Sequence, residues 1–164
     1  MTTMQTRALC SVGRGAAVAL VLVWLSAVLV PTSASAKASA GRYVVSGDAE
    51  VVTDTHTKLE WQRKVLAGKK TWADAKSYCD GLTLSGKSDW RLPWVRELSS
   101  IVDKKELSPS IDKDAFPGTP ATWFWSASLR AGSSSDAWYV HFSSGYVINN
   151  GISFPGEVRC VRGG

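Results

Sequence analysis

The residues best suited to chemistry are the cysteines and histidines, and they are few and widely spaced. Beyond residue 40 the chain has two cysteines, Cys79 and Cys160, and two histidines, His56 and His141. No C-x-x-C or His-x-x-x-His spacing occurs, so the patterns typical of redox, zinc and copper sites are absent. In an exported protein an even number of cysteines indicates a disulfide, and closing this long loop would contribute about 4.5 kcal/mol in the chain-entropy model. We therefore predict a structural disulfide.

Other catalytic arrangements are also missing from the sequence. A serine nucleophile would need a turn such as G-x-S-x-G and a partner histidine, and no such string occurs. Asp89 and Arg91, in the run SDWRLP, invite a catalytic role, but a buried pair that fastens the loop before a helix is the more common use of such residues. We predict that the protein is not an enzyme and needs no cofactor. Calcium is the alternative, because four carboxylates could supply oxygen ligands: Asp103, Glu106, Asp112 and Asp114.

Two groups of side chains could form a binding surface instead. Five basic residues lie within a short stretch and could attract sulfated or phosphorylated polysaccharide. Such a cluster of charges more commonly forms a solvated face. Aromatic rings on an exposed strand face could stack on a sugar. The candidate ligand-binding residues are Arg63, Lys64, Lys69, Lys70 and Lys76 in the first group and Trp123, Tyr139 and His141 in the second.

The N-terminal residues have the composition of a signal peptide. Arg7 and Arg14 precede an apolar run from Ala16 to Val30, which is shorter than the ~20 residues of a permanent membrane helix. Small residues follow this run, so we expect a peptidase to cut after Ala36 or Ala40. An uncleaved anchor is the alternative.

Cleavage after residue 36 would leave a short flexible segment, residues 37–41, and a single domain over residues 42–164. The formal net charge would fall from +5 by the two arginines to +3. A charge this small does not indicate nucleic-acid binding. We therefore expect an exported protein, in the periplasm or at or outside the cell surface, with no membrane insertion once the signal is removed.

Alternating and β-branched stretches predict strands, and turn residues separate them. In the strand after Asp136, alternation places Trp138, Val140 and Phe142 towards the core and Tyr139 and His141 on the other face. The predicted strands are Arg42 to Ser46, Glu50 to Thr53, Leu59 to Gln62, Trp123 to Ser128, Ala137 to Ser143, Gly145 to Asn150 and Glu157 to Val161.

Two helices are predicted between the third and fourth strands. Thr71 and Asp74 form a capping box that opens the first helix, and Gly81 ends it. Pro93 suits the first position of the second helix. The apolar face of the first helix consists of Trp72, Ala75, Cys79 and Leu82, and that of the second of Trp94, Val95, Leu98, Ile101 and Val102. Structural roles are assigned to Asp89, Trp90, Arg91, Pro93, Trp125 and Trp138.

Six motifs in order carry a resemblance to a known family: KLEWQ, TWADAKSYC, SDWRLPWVREL, WFWSAS, AWYVHFSSGYV and VRCVR. Together they resemble the bacterial Lcl C-terminal-like domain, a family named after collagen-like surface adhesins, over nearly all of residues 43–162. The resemblance implies an α+β, C-type-lectin-like fold: two short helices on a curled antiparallel sheet, with the N- and C-terminal strands adjacent. It also implies a disulfide from the first helix to the last strand, where Cys79 and Cys160 lie.

The resemblance does not carry over every family feature. The Glu-Pro-Asn, Gln-Pro-Asp and Trp-Asn-Asp elements of calcium-dependent lectins are missing, and no Gly-X-Y stalk is present. We predict an exported, non-enzymatic binding or adhesion module for a glycan, in particular an anionic one, or an envelope protein, with loops Lys104 to Thr122 and Leu129 to Asp136 forming its surface. The alternatives are a structural or assembly domain of an envelope complex and, last, an oxidase of the formylglycine-generating type. The oligomeric state stays open.

Overall fold

The computed structural model describes residues 41–164. The predicted signal peptide and all but the last residue of the segment 37–41 lie outside the described residues. No helix in the described part combines the length and apolar character needed to cross a membrane.

The described chain has the α+β composition expected from its sequence. Its strands are β1 (Tyr43–Val45), β2 (Val51–Asp54), β3 (Glu60–Gln62), β4 (Trp123–Leu129), β5 (Asp136–His141), β6 (Tyr146–Gly151) and β7 (Val161–Arg162), and its helices are α1 (Trp72–Asp80) and α2 (Val95–Ser100). They form two antiparallel sheets, a first with the order β1-β2-β3-β7 and a second with the order β4-β5-β6.

This arrangement differs from the expected single sheet with adjacent terminal strands. The strands form two separate sheets. The prediction that the first and last strands are adjacent was wrong, because β1 and β7 lie at opposite edges of the first sheet. Two successive hairpins place β1 and β3 on either side of β2, which leaves β3 as the edge that accepts β7 through the Trp61 to Val161 register.

Helix α1 begins and ends where the sequence predicts. The Thr71 hydroxyl accepts a hydrogen bond from the Asp74 amide at 3.3 Å and donates one to the Asp74 carboxylate at 2.7 Å. The helix ends at Gly81, and Ala75 and Cys79 on its inner face are buried. Local capping and apolar spacing together fix this element, which explains why it could be predicted.

Helix α2 begins two residues later than predicted. The Pro93 carbonyl accepts a hydrogen bond from the Ala127 amide at 2.7 Å, and Trp94 keeps an extended backbone as the residue before the helix. The Glu97 carboxylate accepts from the Trp94 amide at 2.7 Å. Leu98 is buried as expected, whereas the Trp94 side chain is 54% exposed and so does not belong to the buried face.

The two helices pack on opposite faces of the second sheet. Leu98 of α2 lies in one core cluster with Phe124 and Val140, and Cys79 of α1 lies in another with Trp125. The long loop from Lys104 to Thr122 is irregular as predicted, but part of it fills the first cluster instead of forming an outer surface. Its buried apolar residues are Ile111, Ala115 and Phe116.

The predicted disulfide is confirmed. Cys79 and Cys160 are bonded across a sequence separation of 81 residues, and both are fully buried. Cys160 directly precedes β7, so the bond ties α1 to the first sheet.

Replacing both cysteines (Cys79→Ser with Cys160→Ser) should lower the free energy of unfolding by about 2–5 kcal/mol, because the unfolded chain regains the freedom of the long loop. Urea unfolding of the variant and the oxidised wild type measures the difference. Dithiothreitol should reproduce the loss in the wild type and leave the variant unchanged. Equal unfolding midpoints for the two proteins would contradict this expectation.

Paired carboxylates give the fold a predictable response to acid. Burial alone would raise the pKa of Asp54, but hydrogen bonds from Arg42 and the His56 amide hold that pKa below its usual range. Burial would also raise the pKa of Glu97, but the hydrogen bonds from Arg91 outweigh this effect. The pKa of Glu97 is therefore lowered as well.

Because these pKa values are lower in the folded than in the unfolded protein, their stabilisation is complete above the unfolded value of about 4 and is lost as pH falls through the folded values. The free energy of unfolding should therefore drop as the pH is taken from about 5 down to about 2. In Asp54→Asn the drop should be shallower, although this variant starts lower at pH 7 because Arg42 loses its partner. Urea titrations at several pH values test this prediction. If the free energy of unfolding falls equally with pH in the two proteins, the prediction is wrong.

Candidate functional site

One face of the second sheet gathers side chains from three strands. Trp123, His141 and Tyr146 are cross-strand partners, and Trp125, Tyr139 and Ile148 form the next such row. Cross-strand partners project to the same side of a sheet. The face therefore presents a continuous set of rings and one aliphatic side chain, which we name the aromatic face: Trp123, Tyr139, His141, Tyr146 and Ile148.

Ring contacts hold the inner part of the aromatic face in place. The Trp123 ring meets the buried Trp125 edge-on, with centroids 4.9 Å apart, and lies 5.1 Å from Tyr139. Behind it, Gly156 lets the backbone approach so closely that an added Cβ would fall 2.4 Å from the Trp123 ring. Trp123 and Tyr139 are half-buried and packed, so they form a rigid base.

The outer part of the aromatic face is open to solvent. Tyr146 is 68% exposed and Ile148 is 47% exposed. Sequence reasoning missed both residues as site candidates, although the same alternation that placed Tyr139 and His141 on one face could have been extended through β6. An exposed ring beside rigid half-buried rings can stack on the apolar face of a flat ligand.

His141 has a local partner in the turn that follows β5. Its Nδ1 atom lies 2.7 Å from the Ser143 hydroxyl, two residues along the chain. The contact resembles that of a serine nucleophile with its base, but the spacing of two residues is that of a turn contact. The Ser143 hydroxyl therefore orients the imidazole at the edge of the aromatic face.

The basic residues predicted to bind a ligand are not all equally available. Arg63 donates to the Asp114 carbonyl at 3.1 Å, and Lys64 pairs with Glu50 at 3.1 Å. The Lys76 ammonium lies 4.9 Å from the centroid of the Trp72 ring. These three side chains are engaged within the domain.

Of the remaining two lysines, Lys70 lies beside the aromatic face. Lys70 forms an antiparallel bridge with Gly156, with both backbone hydrogen bonds at 2.8–2.9 Å. Bridge partners project to the same side, so Lys70 points to the side where the Trp123 ring packs on Gly156. Lys69, directly before it, is exposed. The structure thus brings Lys70, from the predicted basic group, close to Trp123, from the predicted aromatic group.

The predicted pairing of Asp89 with Arg91 was wrong. Asp89 is exposed and accepts from the Arg162 guanidinium, whose hydrogen bonds hold the pKa of Asp89 below its usual range. Arg91 instead makes two hydrogen bonds with Glu97, at 2.6 and 2.7 Å, and its pKa is raised by them. Both residues still fasten this loop, but Asp89 binds Arg162 of β7 and the Arg91 side chain binds Glu97 of α2.

The other residues given structural roles are mostly buried. Trp90 is buried and donates to the Lys87 carbonyl at 2.9 Å, and Pro93 and Trp125 are buried as well. Trp138 was expected in the core but is only half-buried. It shares a face with Val140, yet it stands opposite a register shift between Trp125 and Leu129, where β4 moves away from regular pairing.

The carboxylates considered for calcium have other contacts. Asp112 is buried and accepts from the amides of Asp114 and Ala115 at 3.0 and 2.9 Å. Glu106 pairs with Lys113 at 3.1 Å. Within residues 41–164 no group of three or more histidine, cysteine, aspartate or glutamate side chains is arranged to hold a metal ion. The prediction of no cofactor, with calcium as its alternative, stays a prediction.

Comparison with known proteins gives one result for this part of the chain. The family model described as Lcl C-terminal domain matches residues 50–162. The match includes both helices and every strand from β2 to β7. No curated protein matches the chain.

The close approach of Gly156 to Trp123 can be tested directly. In Gly156→Ala the new methyl carbon would lie within 2.4–2.9 Å of three ring atoms, so the ring must shift. Overpacking of this kind should cost about 1–3 kcal/mol in the free energy of unfolding and change the near-ultraviolet circular dichroism of the tryptophans. Gly47→Ala is the matched control, because nothing lies within 4 Å of its added carbon. Identical behaviour of the two variants would show that Trp123 is not held as described.

Proposed function

The chain belongs to the Lcl C-terminal domain family, and on this premise we propose that it is a non-enzymatic binding module whose aromatic face recognises a glycan. The observation that carries the proposal is the exposure of Tyr146 and Ile148 next to the packed rings of Trp123 and Tyr139. Stiff aromatic side chains offer a large contact area and lose little conformational freedom when a ligand binds.

The preferred glycan in this proposal is anionic. Lys70 projects beside Trp123, so one positive charge borders the rings, and the preceding residue, Lys69, adds a second exposed charge to this segment. Without the predicted signal peptide the chain is also mildly basic, with a formal net charge of +3. Lysines at a solvent-exposed edge attract sulfate or carboxylate groups most strongly at low salt. The affinity should therefore have two contributions: ring stacking, which changes little with salt concentration, and ionic attraction, which weakens as the salt concentration rises.

The buried disulfide supports a non-enzymatic, exported module. A disulfide between Cys79 and Cys160 suggests an oxidising environment. An oxidase of the formylglycine-generating type would need a reactive cysteine pair, and here each cysteine is the partner of the other at 0% exposure. A C-type-lectin-like fold forms part of the same proposal. The α1-to-β7 disulfide and the placing of the first and last strands in one sheet support it.

A structural or assembly role is the second candidate, and the exposed apolar side chains of β6 favour it. Tyr146, Val147 and Ile148 are consecutive and all more than 40% exposed. A second protein could cover them. Light scattering separates the two candidates: a stable oligomer without ligand supports assembly, whereas a monomer supports a free binding module.

Binding to a panel of neutral and sulfated glycans, at low and physiological salt and with or without a calcium chelator, tests the proposal. Tyr146→Ala should weaken binding about tenfold, or about 1.4 kcal/mol, at either salt because it removes a stacking ring. Lys69→Ala with Lys70→Ala should weaken binding mainly at low salt.

Matched controls separate these effects from general changes in charge or exposure. Lys104→Ala with Lys105→Ala removes the same charge from exposed positions in the long loop, and Leu107→Ala shortens a side chain that is 81% exposed there. Both controls should bind as the wild type does. If no glycan binds at either salt, or if the control pair weakens binding as much as the Lys69 and Lys70 pair, the proposed site is incorrect.

A further inference from the structure

Strand β6 forms an open edge of the second sheet. Within residues 41–164 it pairs with β5 on one side and with no strand on the other. The Phe142 amide donates to the Thr122 carbonyl on the β4 side, so alternation directs the backbone groups of His141 and Tyr139 towards β6. In β6 the residues paired with His141 and Tyr139 are Tyr146 and Ile148, whose backbone groups point towards β5. The backbone amides and carbonyls of Val147 and Asn149 therefore point outwards, away from the sheet.

The sequence of this edge strand lacks the residues that commonly prevent pairing with another strand. Natural edge strands are commonly protected by charged residues, by proline or by a bulge. The strand Tyr146–Gly151 reads YVINNG, without a charge or a proline, and its register with β5 is continuous over all six residues. The edge is therefore competent to accept another strand.

A groove runs beside this edge on the face opposite the aromatic face. Its volume is about 420 Å³, and its walls are one flank of α2 and the exposed side chain of Val147. It forms because α2 packs on β4 and β5 and leaves that side of β6 uncovered. The lining residues are Val95, Arg96, Ser99, Ser100 and Val147.

The charge in the groove is positive. Arg96 is exposed and takes part in none of the ion pairs formed among residues 41–164. The hydroxyls of Ser99 and Ser100 donate to carbonyls of their own helix, at 2.7 Å each, so they do not neutralise it. An aliphatic wall with one arginine is complementary to an aliphatic side chain that has a carboxylate next to it.

We propose that β6 is a docking edge for an extended acidic peptide, which adds to the second sheet as a fourth strand. Its backbone bonds to Val147 and Asn149, one aliphatic side chain enters the groove, and a carboxylate two residues along, on the same face of the peptide, pairs with Arg96. This is the β-augmentation mode of recognition, in which main-chain bonds give affinity and a side-chain pocket gives specificity. A second copy of this chain is disfavoured, because it would bring a second positive groove to the same edge.

The peptide site does not depend on the proposed glycan function. The two sites use opposite faces of β6, and residues of the aromatic face take no part in the groove. Tyr146→Ala should accordingly leave peptide binding unchanged.

The test uses a fluorescein-labelled peptide, Thr-Glu-Thr-Val-Thr-Glu-Thr, in which glutamate and valine are two residues apart and so share one face of the strand. It is titrated with the full disulfide-bonded protein and followed by fluorescence anisotropy. Two matched probes replace every glutamate by lysine or methylate alternate backbone amides. The wild type should bind the glutamate peptide at least tenfold more tightly than either matched probe. Arg96→Glu, a change at an exposed position, should reverse the preference between the glutamate and lysine peptides.

A block at the edge provides an independent variant. Val147→Pro removes an outward amide and changes the side chain at the groove wall, but it removes no hydrogen bond to β5, so the strand should persist while peptide binding falls at least tenfold. Circular dichroism checks that the fold is kept. Binding that withstands both Arg96→Glu and amide methylation would overturn the proposal, as would no binding up to millimolar peptide. A concentration-dependent dimer that Val147→Pro abolishes would assign the edge to a second copy and overturn it as well.

Discussion

The structure depends above all on the fixed position of the chain from Gly156 to Arg162. This short segment bonds to Lys70, to the start of β4, to Cys79 through the disulfide, and to β3 and Arg91 through Val161. No other part of the described chain joins α1 and both sheets in this way. Each sheet has only three or four short strands, and such sheets depend on packing of a hydrophobic face for their stability. The segment holds the two sheets and α1 together, so that these faces are packed in one domain.

A buried arginine shows how tightly this segment is enclosed. Arg159 has no exposed surface, and its guanidinium lies 4.7 Å from the Phe116 ring centroid and 5.6 Å from that of Phe124. It donates to the Thr119 hydroxyl at 2.9 Å, and burial lowers its pKa to about 9. The arginine thus connects the long loop, through Phe116 and Thr119, to the second sheet. This connection explains why much of a loop that looks like a surface segment in the sequence is part of the core.

The same constraint decides what the second sheet exposes. The segment and α1 cover the Trp125 end of the aromatic face, and α2 covers the opposite face over β4 and β5. Only β6 extends beyond both covers. Its two faces and its free edge are consequently available together, which is why the glycan and peptide proposals use the same strand without sharing side chains. In the two proposals, specificity comes from the charge at each boundary, which is Lys70 on one face and Arg96 on the other.

Features that depend on neighbours along the chain could be predicted from the amino-acid sequence. Thr71 and Asp74 cap α1 because they are three residues apart, the early strands follow from alternation, and the ordered motifs identified the family. Two cysteines sufficed for one disulfide. The partner of Asp89, the bridge between Arg91 and Val161, the exposure of Trp94, the half-burial of Trp138 and the pairing of Lys70 with Gly156 follow only from the three-dimensional packing. Each of these features depends on a contact between segments far apart in the chain. A local pattern of residue types does not show which distant segment packs against it.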